Sequence, residues 1–295
     1  MTNTRFRRAA AAVAVIAALG AVSACGGGKS ANAQQSGAPS GGRQPVVASA
    51  ISELLKVRSS TDQAKSAKVE EDGTMGAMGA SHESGALDWS NGLQGDLTVT
   101  SSGKSLTGAM GISEFRYTKD AMYSHFGDQM AQSLGGKHWM KYSYDQLDKQ
   151  GPAGRAMHQQ IQNGNPNQSV LMLIASGDVK VVGKENVRGV DATHYSGTVD
   201  VAKLTEQQTP GMTKADQEQI KQQLSQAGIT TDKIDIWVNS GNLMVKKTEL
   251  MHAAKGDINQ TCYYSDYGTP VSVTAPAASD TVDSAAMAGG LPKQA

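Results

Sequence analysis

Six histidines (His82, His125, His138, His158, His194 and His252) and two cysteines, Cys25 and Cys262, are the side chains best suited to metal or nucleophile chemistry in this chain. The histidines stand singly, with no His-x-x-His or His-Glu-x-x-His spacing, so they read as surface or core imidazoles rather than zinc ligands. Cys262 lies in Asn259-Gln260-Thr261-Cys262-Tyr263-Tyr264, a strand-like stretch with no nearby histidine base, and reads as a small buried hydrophobe. A hydrolase needs a nucleophile with a base, yet the chain has no Gly-x-Ser-x-Gly elbow and no Ser-x-x-Lys followed by Lys-Thr-Gly. Gly73, Gly76 and Gly79 miss the dinucleotide spacing, and no Gly-Lys-Ser/Thr phosphate loop is present. Glu70, Glu71 and Asp72 adjoin in a strand-like segment and, as a charge run, read as a solvated turn rather than as paired catalytic acids. The expectation is a chain with no catalytic residues, no metal ligands and no cofactor.

Cys25 is different because of what precedes it. Arg5, Arg7 and Arg8 lead into an apolar run from Ala9 to Leu19 and then small residues up to Ala24. That is the pattern of an export signal, and the run is about half the ~20 residues a membrane-spanning helix needs. An ordinary signal cut near Ala24, or an uncleaved amphipathic anchor, would look similar up to this point. Val22-Ser23-Ala24-Cys25 resembles the bacterial lipobox, which implies cleavage after Ala24 and a thioether-linked diacylglyceride on Cys25. Two acyl chains give the stable anchoring that one cannot, at ~0.8 kcal/mol per buried methylene. With Cys25 carrying lipid, Cys262 has no partner for an intramolecular disulfide.

The elements that follow divide the chain into four parts. Residues 1–24 are the signal and 25–45 a Gly/Ser/Ala-rich tether too poor in apolar residues to fold. Residues 46–274 form one domain, and 275–295 an Ala-, Ser- and Gly-rich disordered tail. Val47, Ile51, Leu54, Leu55 and Arg58 have helical spacing, which breaks at Ser59-Ser60-Thr61-Asp62. Short strands then follow closely: Val69–Met75, Gly85–Trp89, Asp96–Thr100, Phe115–Thr118, Ala121–Phe126 and Trp139–Tyr144, with Lys119-Asp120 as a hairpin turn. Closely spaced strands with short turns favour an antiparallel meander over a parallel α/β sheet. In the middle, Ala153–Gln162 reads as a helix, and Asn165-Pro166 opens a second one through Val170–Ala175, which is apolar all round and must be buried or line something apolar. Strands resume at Val179–Gly183 and Ala192–Asp200. A helix opens at Thr213-Lys214-Ala215-Asp216 and closes at Gly228. Ile234–Asn239 then alternates strictly and returns through Leu243–Val245 after a turn at Ser240-Gly241. Twelve methionines besides Met1 either fill the core in place of scarce phenylalanine or offer an adaptable apolar site.

Three stretches carry a family resemblance: Gly183 to Tyr195 with its central glycine, Gly197-Thr198-Val199-Asp200 leading into the late helix, and Ile234-Asp235-Ile236-Trp237-Val238-Asn239 with Gly241 and Leu243. Together with the lipobox and tether, they resemble the LppX/LprAFG-type lipoproteins of actinobacteria, relatives of the LolA-like carriers. The resemblance spans roughly Ala48 to Tyr267. It implies an α+β fold in which a strongly curved antiparallel half-barrel has helices covering its concave face, a space that in some members holds lipid or lipoglycan acyl chains. On that basis Leu171, Met172, Ile174, Ile234, Ile236 and Val238 would line an apolar ligand site. The expected protein is a non-enzymatic lipoprotein held at the outer face of the cytoplasmic membrane by Cys25, binding or carrying a lipid-like ligand. The alternative is an envelope sensor with a filled core and a protein partner of unspecified identity.

Charge separates these readings from nucleic-acid binding. The 27 basic and 27 acidic residues balance, and a dedicated nucleic-acid binder would be strongly basic. Cleavage before Cys25 removes three arginines and no acids, leaving 24 basic against 27 acidic residues and a net charge of −3. The exported chain therefore has to hold an anionic membrane through acyl chains rather than charge.

Overall fold

Strand pairing follows the order of the chain within two runs, which one long-range pairing joins and a second extends at one edge. The computed structural model describes residues 43–76, 79–103, 105–204, 213–254 and 256–288. Helix α1 (Arg43–Ala64) precedes strands β1 (Ser66–Met75), β2 (Gly79–Asp88) and β3 (Gln94–Gly103). A short α2 (Leu106–Ala109) leads to β4 (Ile112–Tyr117), β5 (Ala121–Phe126), α3 (Asp128–Ser133) and β6 (Trp139–Ser143). Three helices follow: α4 (Tyr144–Lys149), α5 (Pro152–Gln162) and α6 (Asn167–Ala175). The second half contains β7 (Lys180–Val187), β8 (Val190–Asp200), α7 (Lys214–Gln226), β9 (Ile229–Asn239), β10 (Met244–Ala253) and β11 (Ile258–Ser265). The chain then reaches β12 (Thr281–Asp283) and α8 (Ser284–Ala288).

These strands form one open 12-stranded sheet in the order β12-β6-β5-β4-β3-β2-β1-β11-β10-β9-β8-β7. The meanders β1–β6 and β7–β11 join where β1 pairs antiparallel with β11, Glu71 opposite Cys262. The expected turn at Lys119-Asp120 forms, with Thr118 N–H donating to Ala121 O at 2.9 Å. The turn at Arg188-Gly189 is held by Gly189 N–H donating to the Asn186 side-chain oxygen at 2.9 Å.

The sheet is strongly curved, and the curvature has a local cause between β2 and β3. Gly85 and Gly95 lie on the same face of these paired strands. A Cβ on Gly85 would sit 2.0 Å from Asp96 O, and one on Gly95 2.1 Å from Ala86 O. A sheet can coil this tightly only where one face has no side chain in the way.

The main core lies on the inner face of the sheet, beneath α1, α6 and α7. Ala50, Ile51, Leu54 and Val57 of α1 join Val170, Leu173 and Ile174 of α6, together with Ile234, Ile236 and Met244 of the sheet. Met122, Met172 and Met244 are buried, so at these positions methionine fills the core.

Three expectations are corrected. Helix α1 runs on through Ser59-Ser60-Thr61-Asp62 to Ala64. Thr61 is fully buried, its carbonyl accepts from Trp89 Nε1 at 3.0 Å, and the chain leaves the helix only at Lys65, whose φ is +67°. Leu55, placed on the apolar face by its spacing, points to solvent, and Val57 and Thr61 take the buried row. The segment after Thr274 is described up to residue 288 and carries β12, which pairs in parallel with β6. Lys137 Nζ donates to Thr281 O at 2.8 Å, and His138 N–H donates to Asp280 Oδ1 at 2.8 Å, fixing this polar stretch through contacts that its composition does not reveal.

Candidate functional site

Strand β9 positions the site. Its pairing with β8 is in continuous register from Thr231 to Asn239, so Asp232, Ile234, Ile236 and Val238 point to one face and Lys233, Asp235 and Trp237 to the other. The first set faces inward. Helix α6 starts at Asn167, whose N–H donates to Asn165 Oδ1 at 2.9 Å, as the Asn165-Pro166 cap predicts. It lies directly on β8 at Gly197, where a Cβ would come within 2.8 Å of both Leu173 Cδ1 and Ser176 Oγ.

Of the six residues expected to line an apolar ligand, Met172, Ile174, Ile234, Ile236 and Val238 are buried together in the main core, and Leu171 is half-buried on α6. They come together as expected, but against one another and against Leu173 and Val170 rather than around an open space. Two surface depressions lie elsewhere. One, of about 350 Å³, is bordered by Lys119, Asp120, Tyr144, Asp145 and His158. The other, of about 510 Å³, runs beside α1 at Leu55, Arg58 and Asp62.

The inner face also carries charge that sequence reading missed. Glu249 and Lys247 of β10 lie opposite Ile234 and Ile236 and so share their face, with Met251 opposite Asp232. Ser169 Oγ of α6 donates to Glu249 Oε1 at 2.6 Å, a buried bond between the covering helix and the sheet. Lys247 Nζ lies 3.6 Å from Glu249 and donates to Gln260 Oε1 at 3.4 Å, while Gln260 Nε2 donates to Glu71. Burial opposes the charge on Lys247, but Glu249, Glu71, Cys262 and Asp232 hold its pKa above the ordinary value. Burial and the neighbouring Glu71 push Glu83 on β2 up to about 7. Asp232 is 0 % exposed, and neither of its carboxylate oxygens has a hydrogen-bond partner. Burial first, then Glu249, pushes it up to about 8. Its position in the 232-234-236-238 alternation is the sequence signal that could have placed it here; beside Lys233, it reads at first as turn polarity.

The outward face of the same strands is satisfied within itself. The Trp237 ring stacks on His194 at 4.2 Å, and its Nε1 donates to Glu185 at 2.8 Å. Lys246 lies over the same indole, and Arg188 lies over Tyr263 while making two bonds to Glu70. Glu70, Asp72 and His82 are the cluster of metal-ligand type found among the described residues. Arg188 occupies both oxygens of Glu70, and His82 Nδ1 lies in hydrogen-bond contact with Asp72 at 2.8 Å, so the ligand atoms of all three already have protein partners. Cys262 is buried, and that burial pushes its thiol far from ionisation, as befits a structural residue. Cys25 lies outside the described residues.

No protein-family profile matches the chain. An uncharacterized 31.2 kDa protein of Streptomyces griseus is 49% identical over 246 residues, covering 80% of this chain and 79% of that one. A protein named as a lipoprotein in Streptomyces coelicolor is 37% identical over 302 aligned positions, covering 96% of each chain. Among solved structures, similarity extends to the lipoprotein LppX of Mycobacterium tuberculosis (13% identity, TM-score 0.44, 78% of this chain and 100% of that one). It extends also to LprF of Mycobacterium bovis (14% identity, TM-score 0.39, 78% and 98%). With these Streptomyces relatives the chain belongs to one family, a family of lipoproteins. It is an exported lipoprotein. Among the described residues no helix is long and apolar enough to cross a membrane.

Proposed function

We propose that the protein is tethered by acyl chains on Cys25 at the outer face of the cytoplasmic membrane, and that it binds or carries an apolar, lipid-like ligand without converting it chemically. The observation that supports this most is the seating of α6. A helix apolar on nearly every side lies across the inner sheet face over Gly197, between that face and α1. A ligand would enter by displacing α6, exchanging its contacts with Ile234, Ile236 and Val238 for acyl contacts of similar area. The polar latch from Ser169 to Glu249 is the point at which such an opening would start.

The close packing of that same core favours a second reading, an envelope interaction module that works through a protein partner. One experiment separates the two. The full chain purified from membranes and the chain from residue 26 onward purified from cytosol are each extracted with organic solvent and examined by mass spectrometry, with crosslinking of the full chain in intact membranes alongside. A stoichiometric lipid supports the carrier. Lipid-free protein crosslinked to a stoichiometric partner refutes it in favour of the module.

A further inference from the structure

The inner stripe of β9 is apolar along Ile234, Ile236 and Val238 and ends in a carboxylate at Asp232. From Asp232 to Val238 the strand spans roughly 20 Å, enough for a fatty chain to lie along it. Burying an unpartnered carboxylate in an apolar core is strongly unfavourable, and such groups are ordinarily paired. Glu249 does not relieve Asp232, because it is an acid itself and is engaged by Ser169 and Lys247. Lys247 is committed to Glu249 and Gln260. On the inner face of β9–β11, β1 and β2, four acids (Asp232, Glu249, Glu71 and Glu83) meet one lysine among the described residues. Acids thus outnumber bases on this face: Glu71, Glu83 and Lys247 lie level with Ile236, Glu249 lies level with Ile234, and Asp232 stands at the end of the stripe, where both of its oxygens are without a partner.

Building on the carrier reading above, we infer that the ligand is a cationic amphiphile, whose fatty chain replaces α6 contacts along Ile234, Ile236 and Val238 while its ammonium group pairs with Asp232 beside Glu249. The pairing is selective by its nature. A neutral head group forms no ion pair with Asp232, and an anionic one is set against a face already rich in acids. Because burial holds Asp232 protonated near neutrality, forming the ion pair expels its proton to solvent, so binding at pH 7 is accompanied by proton release.

The test titrates the chain from residue 26 onward with decylammonium, decanol and decanoate below their micellar concentrations, by calorimetry in two buffers of different ionisation enthalpy. We expect decylammonium to bind at least about tenfold more tightly than decanol, decanoate to bind most weakly, and proton release to accompany the ammonium alone. Asp232→Asn should abolish both the preference and the proton release while leaving decanol binding in place. Glu249→Gln, a second variant, should reduce the preference in part. Equal binding of the three head groups, or a preference that survives Asp232→Asn, overturns the inference and leaves the carrier reading standing. Binding of none of the three overturns both. Saturable binding of potassium alone that competes with decylammonium would reassign Asp232 to an inorganic cation and likewise overturn it.

Discussion

Replacing Asp232 with asparagine should reverse the usual dependence of stability on a buried residue, because what changes is the slope with pH. The carboxyl ordinarily titrates near 3.8 and is pushed up to about 8 in the folded protein. The folded state thus favours the protonated form, and the stability associated with it is fully present below pH ~4 and lost as pH rises towards 8. At about 1.4 kcal/mol per pH unit, the loss between pH 5 and 8 is on the order of 4 kcal/mol. The amide of Asp232→Asn cannot ionise, so this part of the pH dependence vanishes. Its own unpartnered groups cost about 1–3 kcal/mol at every pH, which lowers the level of the curve without tilting it. Urea midpoints of both proteins between pH 5 and 9 provide the measurement. The wild type should lose stability steadily relative to the variant, until the variant is equal or better at the alkaline end. Parallel curves, or a variant that falls further behind as pH rises, would refute the reasoning, since either result means the carboxylate is ionised and stabilised where it lies.

Other consequences are open to direct measurement. Gly197→Val should force Leu173 and Ser176 aside and cost about 1–3 kcal/mol by loosening α6 from β8, read as a lower denaturation midpoint. Ile236→Ala should cost about 2–5 kcal/mol in the same assay, because Ile236 is fully enclosed in the core. His138 is held above its ordinary pKa chiefly by Asp280 and also by Asp128. Its grip on the C-terminal strap should therefore be full below pH ~6.5 and lost as pH rises through its folded pKa. Hydrogen exchange of residues 278–283 should quicken over that interval, and Asp280→Asn should remove the dependence.

Much of the fold was legible because most strands either alternate in polarity or sit between glycine-rich turns. The hairpin of Ile234–Asn239 with Leu243–Val245 forms as its pattern required, and so do the turn at Lys119-Asp120 and the helix opened by Asn165-Pro166. Departures arose where tertiary contact overrides local composition. Ser59-Ser60-Thr61-Asp62 has the look of a helix end, yet burial of Thr61 beneath Trp89 carries the helix onward. The segment at 278–283 looks structureless, yet Lys137 and His138, some 140 residues earlier, give it hydrogen bonds and a strand to pair with. At the site, apolar spacing brought the right side chains together but said nothing of how tightly they close. Asp232 escaped notice because polarity at the start of a strand ordinarily means solvent, and only the register with Val199 and Met251 reveals that it points inward.

The junction of β1 with β11 also governs when this protein can fold. Glu71 must find Cys262, nearly two hundred residues later, before the two meanders become one sheet. Closing so long a loop is entropically demanding and slow. Until the last strands emerge on the far side of the membrane, each meander exposes an unpaired edge, β1 in one and later β10 in the other. An export route that threads the chain unfolded matches this topology. The sheet cannot be completed prematurely in the cytoplasm while its closing strand is still being synthesised, and it becomes complete outside only as β11 arrives.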